Sequence, residues 1–439
     1  MRPRPLEAIR SVLLTLLVII AVAVPALAQN LPKAGRPEDV GLSSERLNRL
    51  TAAFQADVER EKIPGAVILI VRHGKIAYFE AIGFLDRGKH LPMRRDAIFR
   101  VASMTKPIVS VAAMTLVEEG KIQLLDPVST YLPEFKNLKV GVEGKPEGTD
   151  RLELALETPR REMTIQDLLR HTSGLTYGAF GDSLVKRAYR DANLFDPKQT
   201  TAEMVTKLSQ LPLAFQPGTT FEYSMSTDVL GRVIEVVSGR ALNEVVADRV
   251  TRPLRMVDTG FVVGDAHAPR VAEPQVDPAT GKRPPMRDIT KPQTFLSGGG
   301  GMVSTAPDYL RFSRMLYNGG QLDGVRLLSP KTVAFMTADQ LPPGIAMSPT
   351  TQSPGFGALM PSPDQGQGFG LGFAVRKDVG RNFLPGTPGE YYWVGAFGTA
   401  FWVDPSEKLI TVMMMQIPLA QGGHYRSLIR NLVYQAVVR

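Results

Sequence analysis

The stretch that decides the fold is residues 101–120, which read VASMTKPIVSVAAMTLVEEG. From residue 107 onward the run is apolar on nearly every side, which is typical of a helix buried in the centre of a protein. Gly120 stands where a glycine commonly ends a helix. We therefore predict a buried central helix over residues 107–119, with Ser103 and Lys106 at its amino end.

The tetrapeptide Ser103-Met104-Thr105-Lys106 carries the first candidate chemistry. A serine and a lysine three residues apart share one helical face, so the amine can reach the hydroxyl. The amino end of a helix favours a developing oxyanion. A second match, Ser183 to Lys186, lies in a polar stretch with no apolar helix behind it, and we interpret it as solvated surface. The pattern predicts that Ser103 is a nucleophile and that Lys106 takes or relays its proton.

Tyr223 is the second candidate and lies in the hexapeptide FEYSMS, just before a helix predicted over residues 228–237. A tyrosine in a loop is more often a packing residue with one satisfied hydroxyl. If its hydroxyl met Lys106, Tyr223 could act as a general base.

The third candidate is WVGAFG, from Trp393 to Gly398, on a predicted strand. Glycine inside a strand commonly marks a bulge. The functional alternative is that Gly395 lets the backbone approach the substrate closely. The backbone N–H of Ala396 would then be an oxyanion donor beside that of Ser103.

Composition excludes several classes of protein. The 439-residue chain is 44% hydrophobic and 21% charged, which fits a globular protein of two lobes or one large composite fold. It has no cysteine, and none of its five histidines are spaced as a helical metal pair, so we expect no thiol nucleophile, metal or cofactor. The net charge of +8 is spread along the chain and does not indicate nucleic-acid binding.

The first residues read as an export signal. Three arginines precede an apolar run over residues 12–24, and Ala26-Leu27-Ala28 fits a signal-peptidase site. The alternative is an uncleaved anchor, because the run nears the length that spans a bilayer. We predict a signal peptide over residues 1–28, a periplasmic or secreted protein, and no stable membrane insertion after cleavage.

The mature chain is predicted to be β-rich, then helical, then β-rich. A helix capped by Ser43 or Ser44 precedes strands at residues 66–71 and 76–84; later strands are expected at 369–375, 391–396, 399–403 and 409–416, before a final amphipathic helix. We predict an α/β lobe from residues 30–110 and 290–439, with a helical lobe from residues 111–289 inserted in it. Residues 141–161 and 341–367 read as mobile loops.

The three motifs, in this order, resemble the serine β-lactamase and penicillin-binding protein superfamily, in its class C β-lactamase-like branch, and most of all the family VIII carboxylesterases. Other supporting phrases are LLRHTSGL at 168–175, PLRM at 253–256, GGGGM at 298–302 and FWVDP at 401–405. The resemblance implies an antiparallel sheet flanked by the N- and C-terminal helices, with an inserted helical lobe. It implies Ser103 as nucleophile, with Lys106 and Tyr223 as its proton-transfer partners.

Two departures from that resemblance bear on the substrate. Class C β-lactamases have Asn where Met225 stands, and Lys-Thr-Gly where this chain has Trp393-Val394-Gly395. The groups that hold a lactam's acylamino arm and its carboxylate are therefore missing. Together with Phe397, these residues predict a more apolar substrate site that suits uncharged esters.

We expect a secreted serine hydrolase that forms an acyl-enzyme, with a small-molecule ester or amide as substrate and short-chain carboxylesterase activity as the first choice. The alternatives are a β-lactamase or a peptidase acting on D-amino acid peptides, and, from another class, a non-catalytic binding module with the same fold. The sequence does not indicate an oligomeric state.

Overall fold

The computed structural model describes residues 31–276, 281–284, 286–349, 360 and 362–439. The predicted signal peptide lies outside them, as do residues 350–359 and 361 of the predicted loop at 341–367. Within the described residues, no helix is long and apolar enough to cross a membrane.

The strands in chain order are β1 (Gly65–Arg72), β2 (Lys75–Asp86), β3 (Leu91–Pro92), β4 (Phe99–Arg100), β5 (Val140–Gly144), β6 (Glu153–Glu157), β7 (Thr220–Phe221), β8 (Val303–Ser304), β9 (Gln321–Leu322), β10 (Val325–Arg326), β11 (Ala346–Met347), β12 (Gln367–Phe369), β13 (Ala374–Arg376), β14 (Tyr391–Val394), β15 (Ala400–Asp404) and β16 (Leu409–Met415). The α-helices are α1 (Ser44–Glu59), α2 (Thr105–Glu118), α3 (Ile165–Leu169), α4 (Leu184–Asp191), α5 (Thr201–Leu208), α6 (Ser226–Ser238), α7 (Leu242–Val246), α8 (Ala306–Tyr317), α9 (Pro330–Met336) and α10 (Leu419–Tyr434).

Eight strands form one antiparallel sheet in the order β12-β13-β14-β15-β16-β1-β2-β3. Strand β1 pairs with β16 and β2, and all its residues are buried, which explains its unbroken apolar run. The first and last parts of the chain therefore build one sheet. This confirms the predicted fold class, a mixed α/β fold around a large antiparallel sheet.

Helices cover both faces of the sheet. On β15, Phe401 contacts Tyr309 of α8, whereas its neighbour Trp402 stacks on Tyr434 of α10. Because successive side chains of a strand point to opposite faces, α8 and α10 lie on opposite sides of the sheet. The N-terminal helix α1 packs against α10 and against β1 and β2.

Helix α2 is the predicted central helix, and residues 105–116 of it are buried. It packs against α6, α7 and the π-helical turn that follows α7, within the predicted helical lobe. That section is not wholly helical, because β5 and β6 pair as a hairpin. The prediction of a loop over residues 141–161 is therefore wrong for 141–144 and 153–157, which pair as strands, and the buried Val140 anchors one end of the hairpin. The lobe boundaries themselves stay a prediction.

Candidate active site

Ser103 lies in a 3-10 turn, Ala102–Met104, that leads directly into α2. The preceding Ala102 has φ +45°, a left-handed conformation that a residue with a Cβ adopts rarely. Strained backbone of this kind clusters at functional sites, where the surrounding structure holds it in place. The turn presents Ser103 at the positive end of the buried helix, as the sequence predicts.

Lys106 lies one helical turn further on and is only 1% exposed. Its Nζ donates to three oxygens: Ser103 Oγ at 3.3 Å, Tyr177 Oη at 3.1 Å and the Gly299 carbonyl at 2.7 Å. These contacts fill the hydrogen-bonding directions of an ammonium group. The amine is therefore fixed in place beside the serine.

Tyr223 lies in the loop between β7 and α6, and Lys106 Nζ stands 4.6 Å from the centroid of its ring. A backbone hydrogen bond fixes this loop, because the Glu222 N–H donates to the His171 carbonyl at 3.0 Å. The His171 ring packs 5.0 Å from that of Tyr223. Burial lowers the pKa of His171 well below its ordinary value, so the ring stays neutral. Its Nδ1 lies 3.3 Å from Ser224 Oγ, so it supports the loop.

Tyr177 is a site residue that the sequence analysis missed. Its hydroxyl accepts from Lys106, and its ring lies 5.4 Å from that of Tyr223. Burial raises the pKa of Tyr177 well above its ordinary value, and the nearby charges of Asp228 and Tyr223 add to this. The sequence feature that could have indicated Tyr177 is its position two residues after the phrase LLRHTSGL, in a loop that lines the site.

Asp228 is a second missed residue, at the start of α6 and fully buried. It accepts from the Ser297 hydroxyl and, at 3.0 Å, from the Gly299 N–H. Burial raises the pKa of Asp228, whereas the charge of Lys106 acts in the opposite direction. A Cβ at Gly299 would meet an Asp228 carboxylate oxygen at 2.3 Å, which explains a glycine there. Asp228 thus holds Gly299, the residue whose carbonyl accepts from Lys106.

Gly395 directly follows strand β14, and the packing around it gives a further reason for a glycine there. A Cβ there would meet the Val101 carbonyl oxygen at 2.2 Å and Thr399 Oγ1 at 2.1 Å. A side chain is therefore excluded by the backbone just before the turn that carries Ser103, and the close approach of Gly395 to a substrate stays a prediction. Ala396 lies at the wall of the cavity that contains Ser103.

Arg426, on α10, is the third missed residue and is 1% exposed. Its Nη2 donates to the Gly395 carbonyl at 2.6 Å. Burial lowers the pKa of Arg426 to about 10, an effect partly offset by Tyr223, so the guanidinium is charged at neutral pH. No sequence pattern indicated it, since an arginine on an amphipathic helix usually faces solvent.

The cavity at Ser103 has a volume of about 190 Å³ and mostly apolar walls. Of the predicted substrate-binding residues, Trp393 and Gly395 line it. Phe397 instead lines a neighbouring cavity of about 230 Å³, which shares Ser297 and Gly300 with the first. Met225 is buried and borders neither.

The second Ser-x-x-Lys match has a structural role. Ser183 caps α4 by accepting from the Lys186 N–H, and the Lys186 amine pairs with Glu222 at 3.1 Å. Lys186 is thus buried, contrary to the expected solvated surface. Among the residues that the structure describes, no three His, Cys, Asp or Glu side chains are grouped as a metal site.

Residues 50–426 match the family model described as Beta-lactamase. The chain belongs to this family. It is 38% identical to protein Rv1367c of Mycobacterium tuberculosis, over 81% of this chain and 86% of that protein. It is 32% identical to esterase EstB of Burkholderia gladioli, over 88% of this chain and 94% of the esterase.

A solved structure of EstCE1, described as a hydrolase with promiscuous acyltransferase activity, superposes with a TM-score of 0.71. The two sequences are 29% identical, and the match covers 89% of this chain and 99% of EstCE1. The fold and family expected from the sequence are therefore confirmed, within a group that has esterase relatives.

Proposed function

We propose that the protein is a carboxylesterase that hydrolyses short-chain esters through an acyl-enzyme on Ser103. The observation that carries the proposal is the contact of Lys106 with Ser103, next to Tyr223, at the wall of an apolar cavity. The similarity to the esterase EstB over most of both chains supports it.

In the first half-reaction, Ser103 Oγ attacks the ester carbonyl and passes its proton to the Tyr223 oxygen. The charges of Lys106 and Arg426 stabilise negative charge on that oxygen. The N–H groups of Ser103 and Ala396 hold the tetrahedral oxyanion. When the intermediate collapses, the alcohol takes the proton and leaves, and the acyl group remains on Ser103.

In the second half-reaction, water attacks the acyl-enzyme and gives its proton to the same base. The collapse of the second intermediate releases the carboxylic acid and returns the proton to Ser103. Lys106 keeps the serine oxygen in place throughout, because the Gly299 carbonyl and Tyr177 fix its amine.

The walls of the cavity favour an uncharged substrate. Trp393 stands where a lactamase would offer a cation, and Arg426, the cation that lines the cavity, is 1% exposed and donates its Nη2 to the Gly395 carbonyl. A lactam carboxylate would be left without a partner, at a cost of about 1–3 kcal/mol. We therefore expect discrimination against anionic lactams of about 10- to 100-fold from this interaction alone.

The test compares kcat/KM for a short p-nitrophenyl ester and a chromogenic cephalosporin. We expect the ester to be preferred, and a Met225→Asn/Trp393→Lys double variant to shift the ratio toward the cephalosporin, mainly through Trp393. A wild type that prefers the cephalosporin would mean a β-lactamase instead. A wild type that turns over neither compound and is not acylated by either would mean a binding module.

We also propose that residues 1–28 direct export and are removed, on the basis of the charged, apolar and small-residue segments of that stretch. Sequencing the amino terminus of protein recovered from the periplasm tests this. A chain that starts after Ala28 supports it, and a full-length membrane-bound chain contradicts it.

A further inference from the structure

We propose that Arg426 is a positioning residue of the oxyanion hole, which holds and polarises the peptide group between Gly395 and Ala396. The inference rests on the proposed function, in which the Ala396 N–H is an oxyanion donor. It assigns a role in ester hydrolysis to a residue on the last helix of the chain.

Arg426 holds that peptide through its carbonyl oxygen. Arg426 Nη2 donates to the Gly395 carbonyl at 2.6 Å, a short, charge-assisted bond. In a trans peptide the C=O and the following N–H point in opposite directions. A donor on the Gly395 oxygen therefore aims the Ala396 N–H away from Arg426, and Ala396 lines the Ser103 cavity.

The hydrogen bond from Arg426 to the Gly395 carbonyl also makes the Ala396 N–H a stronger hydrogen-bond donor. A cation on the carbonyl oxygen draws electron density through the conjugated amide, and the N–H at the other end becomes more positive. A more positive N–H stabilises a full oxyanion more than a neutral carbonyl, so the effect is larger in the transition state than in the ground state.

Within the part of the chain that the structure describes, no salt bridge to a carboxylate offsets the charge of Arg426. Among the described residues, no carboxylate lies within salt-bridge distance of it, and its Nε and Nη1 have no hydrogen-bond partner. Arg430, one turn later on α10, is equally buried but pairs with Glu390 at 2.7 Å. An unpaired buried cation is costly to a fold, which is expected where the charge serves the reaction.

Three variants test the inference: Arg426→Met, which removes the charge, Arg426→Lys, which keeps a charge on a shorter donor, and Arg430→Lys as the matched control on the same helix. Each is compared with the wild type on a p-nitrophenyl ester and on its thionoester, in which sulfur replaces the carbonyl oxygen. Sulfur is a poor hydrogen-bond acceptor, so the oxoester-to-thionoester ratio of kcat/KM reports the oxyanion hole. Thermal unfolding of each variant separates loss of structure from loss of function.

For Arg426→Met we expect kcat on the oxoester to fall about 10- to 100-fold, and KM to stay within about twofold of the wild type. This fall in kcat is smaller than the one expected when an oxyanion donor is removed outright. The oxoester-to-thionoester ratio should fall by about tenfold, Arg426→Lys should lie between, and Arg430→Lys should keep the ratio of the wild type. An unchanged ratio in both Arg426 variants would overturn the inference; if Arg426→Met does not fold, the Arg426→Lys ratio decides alone. A wild type without esterase activity would overturn the proposed function and this inference with it.

Discussion

Two tyrosines meet Lys106, and their different positions predict different roles. Tyr177 receives a hydrogen bond from the amine, whereas the amine stands over the ring of Tyr223. We expect Tyr223→Phe to lower kcat/KM by about 10²-fold or more, because it removes the base. Tyr177→Phe should cost only about tenfold, because its hydroxyl orients Lys106 without taking a proton in the reaction.

The measurement is ester kcat/KM for the two single variants and for each combined with Lys106→Ala. Effects within one proton-transfer unit should be far from additive, so Tyr223→Phe should add little once Lys106 is gone. A larger loss from Tyr177→Phe than from Tyr223→Phe would make Tyr177 the base.

Sequence patterns predicted the site residues that carry local signals. Ser103 and Lys106 stand one turn apart at the amino end of one apolar helix, and Tyr223 lies shortly before another helix. Asp228 and Arg426 could not be found in this way, because each acts through a backbone group from a distant segment. Asp228 binds the Gly299 peptide, and Arg426 binds that of Gly395.

At the scale of elements, α8 contains a buried carboxyl whose ionisation opposes folding. Asp308 lies in its first turn and accepts from the Asp258 N–H and the Thr259 hydroxyl. Burial raises the pKa of Asp308 from 3.8 to about 6. The unfolded chain ionises this carboxyl at lower pH than the folded protein does. The contribution of the protonated group to the free energy of unfolding is therefore complete below about pH 4. It is lost as the pH rises through 6, by up to about 3 kcal/mol.

We expect Asp308→Asn to remove this dependence, because the amide oxygen can accept both bonds without ionising. The unfolding free energy of the variant minus that of the wild type should increase as the pH is raised from 4 to 8. Asp182→Asn is the control and should show almost no change over this range, since two arginines lower the pKa of Asp182 to about 2 and its titration lies below pH 4. A difference for Asp308→Asn that does not change with pH would refute the assignment.

Elements with strong periodicity were predictable, and those set by tertiary contacts were not. The predicted Ser43 cap, the central helix and the final strands all occur. The strand predicted over residues 369–375 is two strands, β12 and β13, because Gly372 turns the chain with φ +96°. At Gly370 a Cβ would meet the Met336 carbonyl at 2.0 Å, a packing contact that no local pattern shows.

At the scale of the whole molecule, a buried ion cluster joins the sheet to the C-terminal helix. Glu390, fully buried before β14, accepts from Arg376 of β13 and Arg430 of α10, each at 2.7 Å, and from the Tyr434 hydroxyl at 2.9 Å. Removing its charge would leave two buried guanidinium groups without an anion.

We therefore expect Glu390→Gln to lower the free energy of unfolding by about 3–5 kcal/mol, measured by denaturant titration. Glu244→Gln, in an exposed ion pair with Arg240, should cost no more than about 0.5 kcal/mol. Equal effects of the two changes would show that the cluster does not hold helix and sheet together.

The central claim, an acyl-enzyme on Ser103, is tested most directly by intact-protein mass spectrometry after rapid acid quenching of a reaction with a short p-nitrophenyl ester. The wild type should gain the mass of one acyl group, which peptide mapping assigns to Ser103. The Ser183→Ala variant, which loses only a helix cap, should be acylated in the same way, and Ser103→Ala should gain no mass and lose on the order of 10³-fold or more in turnover. Acylation that persists in Ser103→Ala, or that maps to another residue, would contradict the account.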